Sequence, residues 1–149
     1  MNDNKTPDQK VDGMAIVAAI LNRISRGHRE RLVQSIQRRE PDIAGELKAR
    51  LIEFEHVAQL GEQGVQKLVK EIKQKDMAIA IKGASPSISH SLFKAMTARQ
   101  RQELHDELLD LPEMSADEIE AAQQRVIIKL ADLRSAGEIK EPPKRGVYV

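Results

Sequence analysis

Four histidines, His28, His56, His90 and His105, are the side chains best suited to hold a metal or move a proton, and their spacing offers neither chemistry. None lies four residues from another, and none has an acidic neighbour at ligand spacing, so no metal site is expected. There is no glycine loop that would cradle a phosphate, no nucleophile elbow and no Ser-His-Asp set, which argues against an enzyme and against a bound cofactor. The chemistry that remains is fixed charge. The apolar run Met77-Ala78-Ile79-Ala80-Ile81 ends in a lone cation, Lys82, followed by Gly83-Ala84-Ser85, and the charged segment Arg99 to Asp110 comes shortly after. Charges of both signs held at set places give a partner protein a bipolar pattern, which governs orientation and association rate more than affinity.

On a helical wheel Leu104, Leu108 and Leu111 share one side of the Arg99 helix, while Arg99, Glu103, Asp106 and Asp110 fall on the other. The plainer reading is a solvated helix back, in which Arg99 and Glu103 at i, i+4 form a pair worth roughly a few tenths of a kcal/mol. Lys82 has a plain reading too, because a cation at a helix C-terminus compensates the macrodipole. Arg23, Arg26, Arg29, Arg31, Arg38 and Arg39 make the first forty residues basic, a density that can track phosphates. No aromatic residues interleave them and Glu30 and Glu40 dilute them, so solvated helix faces are the better account and no nucleic-acid partner is expected.

These side chains sit in a chain of 149 residues, enough for one domain or two small packed subdomains. Hydrophobic residues make up 40% and charged residues 32%, but aromatics only 2%, so the core must be built from Leu, Ile, Val, Ala and Met. With 24 basic and 23 acidic side chains the formal charge is +1, which provides no global field to recruit nucleic acid or anionic lipid. The absence of cysteine excludes disulfides and thiolate metal sites and fits a reducing cytosol. The longest apolar run, Met14 to Leu21, is too short to span a bilayer, and Met1-Asn2-Asp3-Asn4-Lys5 lacks the apolar core of a signal peptide. A cytoplasmic protein without direct membrane insertion is expected.

Apolar residues recur at helical spacing almost throughout, which predicts an all-α protein. Residues 1–12, with Pro7, are polar and expected to be disordered. Val17, Ile20, Leu21 and Ile24 form the stripe of a first helix that Ser25-Arg26-Gly27 ends; Leu32, Val33 and Ile36 mark a second, which Pro41 breaks. A third carries Ile43, Leu47, Leu51 and Phe54 and runs toward Leu60, where Gly61 and Gly64 interrupt it; a fourth follows with Val65, Leu68, Val69 and Ile72. The subdomain joint is placed at Leu51 to Gly61. Asp76 is the expected N-cap of a short helix Met77 to Lys82, with Gly83 supplying a positive φ. Ser85-Pro86 starts the next helix, with Ile88, Leu92 and Met96 buried, and Thr97 with Gln100 and Ser115 with Glu118 read as capping boxes. The last helix spans Ala116 to Ser135, with Ile119, Val126, Leu130 and Leu133 inward and Gly137 closing it; Glu138 to Val149, with Pro142-Pro143, reads as an extended tail.

So laid out, the chain from about Gly13 onward resembles the C-terminal half of the FliG family of bacterial flagellar motor switch proteins. Gly13 to Arg23 resembles the family's glycine linker and "AEILN" helix, and Glu40 to Leu47 its "DPELAEEI" helix. Leu51-Ile52-Glu53-Phe54-Glu55 occupies the place of the "MFxF" hinge. The most specific match is Ala78-Ile79-Ala80-Ile81-Lys82-Gly83-Ala84-Ser85 with "LALALKGAS", followed by Ala95-Met96-Thr97-Ala98-Arg99 with "NMSKRA".

The resemblance implies an armadillo-like three-helix unit over 13–50, a hinge over 51–61, a six-helix right-handed superhelical unit over 62–139 and a tail over 140–149. It implies that Lys82, Arg99, Asp106 and Glu107 meet the stator's cytoplasmic loop to generate torque, and that Leu51, Ile52, Glu53 and Phe54 reorient the unit when rotation reverses. Val17, Ile20, Leu21 and Ile24 are open to two readings, stacking on a neighbouring armadillo unit or intramolecular core. Other switch-complex proteins, and a full-length homologue or a second copy, are the further partners implied, at the flagellar basal body on the cytoplasmic side of the inner membrane. Some positions depart from the family pattern. Ser115 stands where the family has an arginine, Pro112-Glu113-Met114 replaces "GPV", and Leu51 and Ile52 replace two larger hinge residues. The family's N-terminal domain and its middle unit with the "EHPQ" site are not in this sequence. A regulatory or scaffolding relative that binds switch proteins without transmitting torque is therefore the competing expectation.

Overall fold

The computed structural model describes residues 12–140; the expectations made for 1–11 and 141–149 lie outside the described residues. The described residues form eight α-helices and one 3-10 helix and contain no strand, as the periodicity required. The chain divides into two compact units, Met1–Leu51 and Ile52–Val149.

The first unit contains α1 (Gly13–Leu21), α2 (Arg26–Arg39) and α3 (Pro41–Arg50). Asp12 caps α1, accepting from the Ala15 amide at 3.1 Å, and its other carboxylate oxygen takes the Arg50 guanidinium at 2.9 Å. That clasp ties the start of the unit to the end of α3, and the Arg50 bond, with the Ala15 amide second, holds the Asp12 carboxyl below the ordinary aspartate range. Asp12 is therefore part of the folded unit and not of a disordered leader. Asn22 closes α1, its buried side chain donating to the Arg50 carbonyl at 3.4 Å. Ser25 begins α2 and Gly27 lies inside it, so the Ser25-Arg26-Gly27 stop expected for the first helix is instead the start of the second.

The core of this unit is Ala18, Leu21, Val33, Leu47 and Leu51, with Met14, Ile24 and Ile36 packed against it. The stripe expected on α1 therefore splits. Leu21 is buried and Ile24 half-buried, while Val17 and Ile20 are 41% and 58% exposed. α1 is apolar on nearly every side, so its sequence fixes no phase, and the series turned to the core is half-buried Met14 with buried Ala18 and Leu21. Ile16, Leu32 and Ile43 are exposed as well. Among the early arginines Arg29 is buried, which removes it from any phosphate-tracking face.

The second unit starts with non-helical Ile52, extended Glu53 and a 3-10 helix, Phe54–Gln59, so α3 does not continue toward Leu60. Glu53 and His56 close a capping box on that short helix, His56 Nδ1 accepting the Glu53 amide at 3.1 Å. Ile52, Phe54, Val57 and Leu60 all enter the core of this unit, whereas the preceding Leu51 belongs to the other core. Gly61, at φ 79°, turns the chain into α4 (Gly61–Glu71).

Then follow α5 (Gln74–Lys82), α6 (Pro86–Ala95), α7 (Ala98–Asp110) and α8 (Ala116–Ser135). α5 is the central element. Met77, Ala78, Ile79, Ala80 and Ile81 are all buried, and the helix packs against both α7 and α8. A consecutive buried run of five residues is what a helix surrounded on several sides demands. Lys73 takes the cap position of α5 in place of Asp76, which lies in the first turn and pairs with Arg125 on α8 at 3.3 Å. Gly137, at φ 75°, ends α8 in a Schellman arrangement: its amide donates to the Arg134 carbonyl at 3.0 Å and the Glu138 amide to Leu133 at 2.8 Å. The turn buries Ile139 and sets Glu138 2.9 Å from Lys67 on α4, so the chain is still packed where an extended tail was expected to begin.

Candidate functional site

α7 carries most of the charges singled out by the sequence. It opens on a capping box in which Thr97 Oγ1 accepts the Gln100 amide at 3.0 Å and Gln100 Oε1 accepts the Thr97 amide at 3.2 Å. Leu104 is fully buried and Leu108 and Leu111 half-buried, which orients the opposite side to solvent. The Arg99 side chain is 88% exposed and its Nε donates to Glu103 at 3.2 Å, an open surface pair of small energetic weight. Asp106 is exposed and accepts from Gln102 at 3.1 Å, Asp110 is exposed, and Glu107 is half-buried on the flank. Arg99 and Asp106 share one face, seven residues and roughly 10 Å apart along the axis.

Lys82 reaches this site from α5. The two helices run side by side in the same direction: Gln74 Nε2 donates to the Glu103 carbonyl at 2.8 Å near one end, and Lys82 Nζ to the Pro112 carbonyl at 3.4 Å near the other. The structure thus brings Lys82, Asp106, Glu107 and Arg99 onto one pair of packed helices, with the two cations at opposite ends of α7. Gly83, just after Lys82, has φ −89° and not the positive φ expected of a helix stop. Its role is room. A Cβ there would lie 2.2 Å from Ile119 Cγ2 on α8, far closer than side chains pack.

Side-chain bonds to backbone carbonyls, which the sequence reading missed, fasten α7 and the helices around it. Gln66 on α4 donates to the Ala95 carbonyl at 3.0 Å, and Gln100 Nε2 donates to the Gln66 carbonyl at 3.0 Å. Gln123 on α8 donates to the Ala80 carbonyl of α5 at 3.0 Å. Arg101 donates to the carbonyls of Phe93 and Met96 at 3.0 and 3.1 Å, closing the C-terminus of α6 with a cation. Helical glutamines have no sequence signature for such roles, since their targets are backbone carbonyls of other elements. Leu109 was also passed over: it lies on the solvent side of α7 and is 82% exposed.

Ser115, where the resemblance leads one to expect arginine, caps α8. Its Oγ accepts the Glu118 amide at 3.1 Å and its own amide donates to Glu118 Oε1 at 2.9 Å; that amide bond, with the Ser115 hydroxyl second, draws the Glu118 carboxyl below its usual range. Leu51, Ile52 and Phe54 are buried and Glu53 half-buried, so the expected hinge residues are mostly core residues, divided between two cores. Among the described residues no group of His, Asp or Glu could hold a metal ion, and no helix is long and apolar enough to cross a membrane.

Comparison with known proteins agrees with the geometry. A family model of the FliG C-terminal domain matches residues 34–140. The flagellar motor switch protein FliG of Thermotoga maritima is 32% identical over 130 residues, covering 87% of this chain and 39% of the relative. That of Bacillus subtilis is 27% identical over 127 residues, covering 85% and 38%, so the chain spans about two fifths of the length of these relatives. A crystal structure of Helicobacter pylori FliG, residues 86–343, superposes with a TM-score of 0.68 at 22% identity, covering 89% of this chain and 62% of that one. The buried α5 segment, the α7 capping box and the Gly83 contact thus sit in a chain that belongs to the FliG C-terminal domain family.

Proposed function

We propose that the chain is a nonenzymatic rotor component of the flagellar switch complex whose charged α7 face meets the stator's cytoplasmic loop. The observation that carries this reading is the mounting of Lys82, Arg99, Asp106 and Glu107 on two parallel packed helices, in a unit of the FliG C-terminal domain family. Fixed, solvent-facing charges of both signs suit successive noncovalent contacts, in which a passing partner is attracted, aligned and released. The joint at Leu51–Phe54 is the proposed hinge for changes of direction. Val17 and Ile20 are the exposed apolar side chains of α1 by which the first unit would stack on a neighbouring armadillo-like unit or a second copy, with Leu21 and Ile24 turned toward its own core. The place of action is the cytoplasmic face of the basal body, peripheral to the inner membrane.

Reversing Arg99 and Asp106 together, as Arg99→Asp with Asp106→Arg, tests the reading. Loss of stator recruitment and of swimming is expected in a cell that depends on this chain, and unchanged motility and recruitment would refute it. A second reading, a scaffold that binds switch proteins without transmitting torque, draws support from two observations: Arg99 is paired within its own helix, and Ser115 serves as a cap where the resemblance expects a cation. Pulldown separates the readings, because a scaffold retains switch proteins and not the stator loop.

A further inference from the structure

The C-terminal half of α7 presents more than charge. Leu109 is 82% exposed on a helix whose other leucines turn inward, and such exposure is greater than that of any other exposed large apolar residue described. His105, one turn earlier on the same side, is exposed and its ring stacks on Phe93 with centroids 4.9 Å apart and planes 18° apart. Phe93 itself packs against the core, so the imidazole lies flat and extends an apolar ledge from α6 toward Leu109. Asp106 and Asp110 repeat the i, i+4 spacing of His105 and Leu109 one position along, so an acidic strip borders the ledge, and Glu113 continues the negative charge past the helix end. Lys82 lies past the end of this strip, held at the Pro112 carbonyl beyond Asp110, and the Arg101 guanidinium near the ledge is turned to the Phe93 and Met96 carbonyls. The C-terminal dipole of α7 adds to the negative field.

From this pairing of an exposed leucine with a flanking acidic strip, we infer that Leu109 is the apolar anchor of the stator contact and that it receives an amphipathic segment of the stator loop carrying an aliphatic side chain flanked by lysine or arginine. The inference rests on the reading of α7 as the stator-facing helix. Charge complementarity supplies steering and alignment, and burial of Leu109 supplies the part of the affinity that salt does not screen. The acidic strip would hold the partner's cations while the leucine enters between its apolar side chains. Contact can then persist at physiological ionic strength although each exposed ion pair contributes little.

The test uses the full chain and the purified cytoplasmic loop of the stator from the same bacterium, with binding measured calorimetrically at low and physiological salt. Leu109→Ser should weaken binding about tenfold at both salt concentrations, equivalent to roughly 1.4 kcal/mol, while Leu109→Met should retain it. Asp106→Lys with Asp110→Lys should weaken binding and flatten its salt dependence. If the charge variant weakens binding and Leu109→Ser does not, the anchor is overturned and the charged contact stands. If neither variant changes the affinity, or the wild-type chain fails to bind the loop, both readings fall. Leu109 is so exposed that its substitution leaves the fold intact, which circular dichroism checks directly.

Discussion

Replacing Gly83 by alanine should damage the second unit out of proportion to a single added methyl group. The backbone at Gly83 is compatible with any residue, at φ −89° and ψ 0°, so the penalty comes from space alone. The new Cβ would stand 2.2 Å from Ile119 Cγ2, well inside the 3.0 Å below which real Cβ contacts essentially never fall. It would also lie 3.2 Å from Gln123 Nε2, the donor that ties α8 to the Ala80 carbonyl. Ile119 is β-branched and helical, hence stiff at χ1, and cannot rotate its methyl aside, so α5 and α8 must part. Overpacking of this kind costs about 1–3 kcal/mol. For a unit of this size about 2 kcal/mol corresponds to a fall of roughly 8–16 °C in Tm, read by calorimetry of the full chain. Ile119→Ala removes the obstructing methyl, so the double variant should recover about 1–2 kcal/mol relative to additivity. An unchanged Tm for Gly83→Ala, or strict additivity with Ile119→Ala, would refute the steric account.

Gly137→Ala forces a side chain into the left-handed region that ends α8 and should cost about 1 kcal/mol, with faster hydrogen exchange at Glu138 and Ile139 as the local readout. Asp12 has a folded pKa depressed below 3.8, so its contribution is present above that value and lost as pH falls through the folded one; hydrogen exchange in α1 should quicken below about pH 4, and Asp12→Asn should abolish that acid dependence. Ser115→Ala should cost about 1 kcal/mol through loss of the α8 cap. Ser115→Arg should lose the same stability, read as an equal fall in Tm, because arginine cannot accept the Glu118 amide.

The charged residues and the capping boxes of α7 and α8 were legible because their signals are local. Thr97 with Gln100 and Ser115 with Glu118 need only three residues of sequence to declare themselves. The sequence signals Gly83 without its reason, since a glycine needed for room and a glycine needed for positive φ look alike until the facing residue, Ile119, is known. The phase of α1 was unreadable because Met14 to Leu21 is apolar all round, and only packing against α3 decides that Ala18 and not Val17 is buried. Leu51 and Phe54 continue the helical rhythm of Ile43 and Leu47, which concealed a break in which consecutive side chains enter different cores. Residue pattern alone puts Ile139 in a tail because Gly137 and Pro142-Pro143 flank it, whereas the turn at Gly137 returns it to the core, inside the 62–139 bounds that the resemblance implied.

Glutamine amides fasten the helices of the second unit to one another, two of them, Gln74 and Gln100, at α7 itself. Gln66, Gln74, Gln100 and Gln123 bind carbonyls through uncharged amides, whereas the outward face works through carboxylates and guanidinium. Salt attenuates interactions between exposed charges but hardly affects a neutral amide bond. In the proposed contact, a change in ionic strength would therefore alter the grip of the face while the seating of α7 through neutral amides stays as firm as before.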